Sequence, residues 1–149
     1  MPATFLRKKN FSITLWLQVG NVNITERFDD MNIAAYCRVS TDKADQLNSL
    51  EAQKQFFSEY TQRTGDNLVR LYADEGISGT KIKNRKEFLR MMADAEHGLF
   101  DMVVVKDISR FARNTVDLLQ NVRKLKALGI ETQFLTANMT SMGNSEFVL

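Results

Sequence analysis

Short apolar runs alternate with segments of helical periodicity from residue 33 to residue 136. Strands are predicted at 33–39, 67–74, 101–107 and 130–136, and helices at 48–65, 85–98 and 114–129. Helices of this length between strands form βαβ units, which place the strands in a parallel sheet and cover both of its faces. We therefore predict an α/β fold whose sheet is mainly parallel, with four strands or five.

All three predicted helices end at a glycine, the second of them at Gly98, and the other two carry a clear apolar stripe. In 48–65 the inward residues are Leu50, Phe57 and Tyr60, and the helix stops at Gly65. In 114–129 the cap is Asn114, the inward residues are Val116, Leu119, Val122, Leu125 and Leu128, and the stop is Gly129. The segment 75–84 contains two glycines and is predicted to be a mobile loop.

The α/β pattern is confined to residues 33–149, and the whole chain of 149 residues amounts to about one domain. Residues 1–32 show only a patchy alternation between 11 and 17, followed by a polar stretch. We interpret them as an N-terminal extension outside the core domain. The last residues, "GNSEFVL", are typical of a helix that is just beginning.

Composition excludes several classes of protein. With 44% apolar and 26% charged residues, the chain resembles an ordinary globular protein, and a net charge of +2 is too small to indicate a partner. The single cysteine, Cys37, excludes an internal disulfide framework and a cysteine-based zinc site. It favours a reducing compartment, and we expect a cytoplasmic protein. We predict no transmembrane segment and no membrane partner.

Polar side chains follow three of the predicted strands at their carboxyl ends, where an open parallel sheet binds its ligands. The first strand ends at Arg38 and Ser40, the second at Asp74 before the loop with Ser78, and the third at Lys106 and Asp107, which lead into "ISRFARN" with Arg110 and Arg113. Arg38 and Ser40 lie on one face, about 7 Å apart, because side chains alternate along a strand. Arg110 and Arg113 share a face in a helical turn.

Three arginines and a lysine around one hydroxyl indicate an anionic target, and planar guanidinium donors suit phosphate. Each residue alone also has an ordinary interpretation, Ser40 as a turn residue or helix cap and the basic residues as solvated surface. Their convergence favours a site where Ser40 attacks a phosphate ester while cations stabilise the transition state. The group that accepts the serine proton stays open.

Other chemistries fit the sequence less well. A Ser-His-Asp triad needs a histidine near Ser40, but the one histidine, His97, ends the second predicted helix and should lie at the opposite edge of the sheet. Cys37 alternates away from Ser40 and is interpreted as core packing. A magnesium-dependent phosphoryl-transfer site on Asp42, Asp74 or Asp107 is the weaker alternative, since no DxD pair or glycine-rich Walker loop is present.

Six blocks, "YCRVSTD", "SLEAQ", "YADEGISGT", "NRKEF", "VVVKDISRFARN" and "GIETQFL", resemble the catalytic domain of the serine recombinases over about residues 32–149. The residues within these blocks are most similar to those of the large serine integrases and transposon recombinases. The resemblance implies a resolvase-type fold with a mainly parallel sheet. It also implies DNA strand exchange through a 5′-phosphoserine intermediate, with no metal and no cofactor.

Matched motif by motif, the resemblance implies roles for individual residues. Ser40 corresponds to the nucleophile, and Arg38, Arg110 and Arg113 correspond to the arginines around the scissile phosphate. Supporting active-site positions correspond to Gln53, Asp74, Ser78, Arg85 and Lys106. Small resolvases carry an aspartate just before the first arginine of their arginine motif; here that position is Ser109.

The resemblance also implies DNA as a partner and homo-oligomers, first a dimer and then a synaptic tetramer. The family builds its dimer on a long helix after the catalytic core, and this chain ends at Leu149, about where that helix would begin. We therefore expect a domain without most of its dimer interface and DNA affinity. Two functions stay open: a recombinase catalytic core, or an idle fragment that acts only as an oligomerisation or regulatory remnant.

Overall fold

The computed structural model describes residues 30–76, 85–112, 114–136 and 139–141. Contacts between Cα atoms divide the chain into two units, Met1–Asp30 and Met31–Leu149, and every described element belongs to the second. The strands are β1 (Asn32–Val39), β2 (Asn67–Glu75), β3 (Met102–Val105), β4 (Glu131–Phe134) and β5 (Met139–Thr140). The helices are α1 (Leu50–Thr64), α2 (Lys86–Glu96), α3 (Ile108–Phe111) and α4 (Thr115–Ala127), with one 3₁₀ turn at Gln46–Asn48.

The sheet has the strand order β2-β1-β3-β4-β5. The first four strands are mutually parallel, and β5, only two residues long, pairs antiparallel with β4. The prediction of a mainly parallel sheet with four or five strands is therefore confirmed. Because β1 lies inside the sheet, its carboxyl end is flanked by the ends of β2 and β3.

Side chains of β1 alternate between two apolar cores. Ala34 and Tyr36 face the core that α2, α3 and α4 cover, whereas Ile33, Ala35 and Cys37 face the core that α1 covers. Helices thus lie on both faces, as predicted. Full burial of each large apolar side chain stabilises the fold by about 1.5–3 kcal/mol.

A ladder of aromatic rings connects the elements beneath the carboxyl edge. Edge-to-face contacts join Tyr36 of β1 to Phe88 of α2, Phe88 to Phe111 of α3, and Phe111 to Phe134 of β4, with centroids 5.2, 5.3 and 5.5 Å apart. These distances and tilts are the ones aromatic pairs prefer. The ladder therefore fixes the short α3 segment against the sheet.

The predicted stop at Gly65 and the predicted cap at Asn114 are confirmed, and the structure adds a cap at Ser49. Ser49 caps α1, and Gly65 ends it in the left-handed region, with φ at 76°. The side chain of Asn114 accepts a hydrogen bond from the backbone N–H of Asp117 at 2.8 Å and so caps α4. These residues start and stop the helices because they satisfy the unpaired backbone groups at each end.

The predicted inward stripe of α4 was wrong at Val116 and left out the buried Leu118. Val116 is 65% exposed, and the buried stripe consists of Leu118, Val122 and Leu125. Those three recur at spacings of four and three residues, which keeps them on one helix face. Val116 precedes Leu118 by two residues, and such neighbours do not share a face.

The third strand is shorter than predicted. It ends at Val105: the Lys106 carbonyl still accepts the backbone N–H of Thr136 at 2.7 Å, but Asp107 is already the N-cap of α3. Three expectations lie outside the described residues: the alternating segment at 11–17, most of the glycine loop, and the helix that would begin near the carboxyl end. In the described part of the chain, no helix has the length and apolar character needed to cross a membrane.

Candidate active site

A small cleft opens at the carboxyl edge of the sheet, between the ends of β1 and β3. Its described lining residues are Tyr36, Cys37, Arg38, Asn48, Gln53, Lys106, Asp107 and Arg110. Four of them, Arg38, Gln53, Lys106 and Arg110, were predicted as site residues. The strand-end rule predicted that Arg38, Lys106 and Arg110 meet at this edge, although they lie up to 72 positions apart in the chain, whereas Gln53 was implied only by the resemblance.

Ser40 is the first residue beyond β1 and adjoins this cleft. Its backbone N–H donates to the carbonyl oxygen of Asn48, a lining residue, at 2.8 Å. Its hydroxyl oxygen accepts a hydrogen bond from the backbone N–H of Asp42 at 3.2 Å. Both contacts restrict where the hydroxyl points, and an accepting hydroxyl can still donate its own proton.

Three cations and one carboxylate line the cleft among its described residues. Arg38 stands at the end of β1, Arg110 on α3, and Lys106 between β3 and α3. The Lys106 ammonium lies 4.0 Å from the ring centroid of Phe56 on α1, a cation–π contact that holds the side chain toward α1. The excess of positive charge suits an anionic ligand.

Gln53 lies in the first turn of α1 and is only 2% exposed. Its side-chain amide donates to the carbonyl oxygen of Leu47 at 3.1 Å. Leu47 belongs to the 3₁₀ turn that carries Asn48. Gln53 therefore fixes the segment against which the Ser40 backbone is hydrogen-bonded.

Asp74 and Arg85 are buried beside the cleft and are joined through Tyr36. The Tyr36 hydroxyl donates to the Asp74 carboxylate at 3.0 Å, and the Arg85 Nε–H donates to the same hydroxyl at 3.1 Å. Burial raises the pKa of Tyr36 well above its ordinary value; nearby Arg85 lowers it and Asp74 raises it. The hydroxyl therefore stays protonated and can bridge the two charged groups.

Arg85 also supports the segment that carries Arg110. Its Nη2 group donates to the carbonyl oxygen of Phe111 at 2.6 Å and to that of Arg110 at 3.3 Å. Its guanidinium carbon lies 3.9 Å from the ring centroid of Phe88. Both Asp74 and Arg85 thus support the cleft from below, and neither is among its described lining residues.

Cys37 was correctly predicted to pack in the core, but it does not turn fully away from the site. Its side chain is 4% exposed and packs in the core under α1, yet it also lines the cleft. At the end of a strand, both faces of the sheet border the opening. Burial raises the pKa of its thiol to about 12, the positive charges of Lys106 and Arg110 opposing that rise.

His97 lies at the carboxyl end of α2, with its Nδ1 atom 2.9 Å from the Ala93 carbonyl oxygen. The same end of α2 is tied to the first half of β2, where Asp94 accepts a hydrogen bond from Arg70 at 2.8 Å. The end of β2 is at the other end of α2, where Asp74 bonds the amino terminus of the helix. The prediction that His97 lies opposite the reactive edge is therefore confirmed.

Two predicted site residues, Arg113 and Ser78, lie outside the described residues. In residues 30–76, 85–112, 114–136 and 139–141, no group of three or more histidine, cysteine, aspartate or glutamate side chains is arranged to hold a metal ion. Both oxygens of the Asp74 carboxylate already accept hydrogen bonds from protein donors.

Two cleft residues, Tyr36 and Asn48, were missed by sequence reasoning, whereas Asp107 was placed at this edge as a strand-end residue or a magnesium ligand. Tyr36 could have been found, because it lies two positions before Arg38 and shares its strand face. Asp107 precedes a short helix as its N-cap, a role that aspartate favours. Asn48 accepts the Ser40 N–H through its backbone carbonyl, a group that every residue has, so the sequence could not single it out.

Comparisons with known proteins identify the family and the fold of this chain. The family model for the resolvase N-terminal domain matches residues 33–149. A resolvase-family site-specific recombinase from Streptococcus pneumoniae superposes with a TM-score of 0.67 at 30% identity, covering 80% of this chain and 81% of that one. The N-terminal catalytic domain of TP901-1 integrase superposes with a TM-score of 0.65 at 26% identity, covering 78% and 85%.

A resolvase/recombinase from Pseudomonas putida is 29% identical over 114 residues, which cover 76% of this chain and 56% of the relative. The chain thus spans a little over half the length of such curated relatives. The family match covers the described strands and helices from Ile33 onward, and the fold matches that of the solved relatives. Residues 33–149 therefore belong to the serine recombinase family, as its resolvase-type N-terminal domain.

Proposed function

We propose that this domain cleaves and rejoins DNA, with Ser40 as the nucleophile. The observation that carries the proposal is the cleft at the carboxyl edge, where Arg38, Lys106 and Arg110 converge beside the Ser40 segment. The relatives support it, since the Streptococcus pneumoniae protein is a site-specific recombinase and the TP901-1 protein is an integrase.

The chemistry needs one nucleophile and no redox step. The Ser40 hydroxyl oxygen attacks the phosphorus of a DNA phosphodiester, and the bond from phosphorus to the 3′ oxygen breaks. The serine loses a proton and the departing 3′ oxygen gains one, so a 5′-phosphoserine and a free 3′-hydroxyl result. Because one phosphodiester replaces another, attack by a 3′-hydroxyl on the phosphoserine rejoins a strand and releases Ser40.

The cations of the cleft stabilise the negative charge that builds up on the phosphoryl oxygens during attack. Arg38 and Arg110 offer planar pairs of donors, and Lys106 adds a compact point charge. Arg113 joins them in this proposal. The cleft is small and opens at the edge of the sheet, so in this proposal the DNA backbone lies across its mouth.

The remaining predicted residues act through these groups. Gln53 holds the turn against which Ser40 is bonded, and Asp74 and Arg85 hold α2 and α3 in place. Ser78, in the loop after β2, is proposed as a further contact near the scissile phosphate. No metal and no cofactor is required by this scheme.

A covalent trap tests the proposal. The 149-residue protein would be incubated with a pool of nicked duplexes of randomised sequence, in which the short strand left by cleavage diffuses away and prevents rejoining. Proteolysis and mass spectrometry should then find a nucleotide bonded through its 5′ phosphate to the peptide that contains Ser40.

The matched control is Ser58→Ala, which removes an exposed serine of α1 away from the cleft. Ser40→Ala should abolish the adduct and Ser58→Ala should retain it. An adduct of normal yield in Ser40→Ala, or none in the unmodified protein, would contradict the proposal.

A further inference from the structure

Asp107 is the one carboxylate among the described lining residues of the cleft. A carboxylate in a phosphate site weakens anion binding by repulsion, so its place there calls for another role. Its side chain is about one-third exposed, which rules out a fully buried structural charge.

The carboxylate is attached to the first turn of α3 by three contacts. One oxygen accepts the backbone N–H of Arg110 at 3.2 Å and also the hydroxyl of Ser109. The other oxygen lies 3.8 Å from Nε of Arg110. Asp107 is therefore the N-cap of α3 and, at the same time, a neighbour of the Arg110 guanidinium.

The geometry at Nε has a chemical consequence. A guanidinium has five N–H donors, and a contact at Nε leaves both Nη groups available for a bidentate phosphate contact. An ion pair this exposed adds little stability. It can still restrict a long side chain that otherwise samples many rotamers.

We propose that Asp107 is a positioning residue that orients Arg110 toward the scissile phosphate, a role that rests on the proposed function. Ser109, where small resolvases carry an aspartate, orients the Asp107 carboxylate through its hydroxyl. Asp107 thus contributes to the rate of cleavage and not to DNA affinity.

Three variants separate this role from that of a simple helix cap. Asp107→Asn keeps an oxygen that can accept the Arg110 N–H but loses the charge, whereas Asp107→Ala loses both. Asp101→Asn is the matched control, because Asp101 accepts an exposed backbone N–H from Asn32 at 3.1 Å and does not line the cleft.

We expect Asp107→Asn to slow adduct formation at Ser40 about ten- to a hundredfold, as a misplaced catalytic group does. Its affinity for a short DNA duplex should be equal to or higher than that of the unmodified protein. Asp101→Asn should change neither. A normal rate in Asp107→Asn with a slow rate in Asp107→Ala would mean that Asp107 is only a cap, and would overturn the proposal.

A second measurement keeps this test separate from that of the proposed function. In ¹⁵N NMR spectra, the Nε–H signal of Arg110 should shift in Asp107→Asn and stay in place in Asp101→Asn. An unchanged Arg110 signal in Asp107→Asn would overturn the positioning role, whether or not the protein forms an adduct with DNA.

Discussion

At the scale of single residues, Cys37 offers a direct probe of the cleft floor. It is the one cysteine of the chain, so any thiol signal belongs to it. Burial raises its pKa from an ordinary 9.0 to about 12. Because the folded state holds the thiol protonated, this group's contribution to stability is present below pH 9 and is lost as the pH rises through about 12.

We predict that Cys37 of the native protein reacts with Ellman's reagent at pH 8 about a thousandfold more slowly than in guanidinium. The thiolate is the reactive form, and a pKa near 12 leaves about a thousandth of the ordinary thiolate fraction. The native rate should rise with pH between 8 and 10, and stopped-flow absorbance measures it. A native rate within tenfold of the unfolded rate would show that the thiol is open to solvent.

At the scale of elements, the start of α2 depends on a residue of another element. Arg85 occupies the N-cap position but makes no capping bond with its side chain. Instead Asp74, at the end of β2, accepts the backbone N–H groups of Glu87 and Phe88 at 2.9 and 3.0 Å. These two hydrogen bonds fix the start of α2 at the reactive edge. The Asp74 carboxylate is also connected to Arg85, through the Tyr36 hydroxyl.

Asp74→Ala should therefore lower the free energy of unfolding by about 2–4 kcal/mol, because two backbone donors and the Tyr36 hydroxyl lose their acceptor. Urea unfolding followed by circular dichroism measures the change. Asp101→Ala is the control, since it removes one exposed acceptor, and it should cost less than about 1 kcal/mol. Equal losses in the two variants would show that Asp74 does not cap α2.

Elements with strong local signals were the ones the sequence could predict. The buried run of β3, the stop at Gly65 and the cap at Asn114 depend on nearby residues, so these elements appear almost where expected. The cap at Asp74 could not be predicted, since it lies 13 residues before the helix residue it bonds. Val116 was misassigned because an apolar residue in the first turn of α4 cannot be distinguished, from the sequence pattern, from the residues of its buried face.

In the site, as in the fold, residues with a local signal could be predicted and contacts between distant residues could not. Arg38, Lys106 and Arg110 could be predicted together because the ends of parallel strands meet at one edge. Tyr36 reads as core and is fully buried, yet its hydroxyl connects Asp74 and Arg85 across 38 and 49 positions of the chain. Contacts over such separations depend on side-chain packing, which no local pattern records.

At the scale of the whole molecule, charge is almost balanced. The chain has 20 lysines and arginines against 18 aspartates and glutamates, so its net charge of +2 exerts little overall attraction on DNA. Any affinity for DNA therefore depends on where cations gather, and the cleft is one such place. Among the described residues outside the cleft, Arg70 pairs with Asp94 at 2.8 Å and Arg90 with Glu87 at 3.6 Å, which partly neutralises both cations.

The salt dependence of DNA binding should therefore be shallow and should come from the cleft. Each phosphate neutralised contributes about −0.9 to the slope of log K against log salt. Since Arg38, Lys106 and Arg110 share one cleft and each neutralises one phosphate at most, the slope on duplex DNA should be no steeper than about −3. Lys106→Ala should make the slope shallower, by about one at most. Arg90→Ala, which removes a cation from α2 outside the cleft, should leave the slope unchanged.

The slopes of all three proteins can be measured by fluorescence anisotropy of a labelled duplex, at salt concentrations between roughly 50 and 200 mM. If Arg90→Ala lowered the slope as much as Lys106→Ala, diffuse surface charge and not the cleft would bind the DNA.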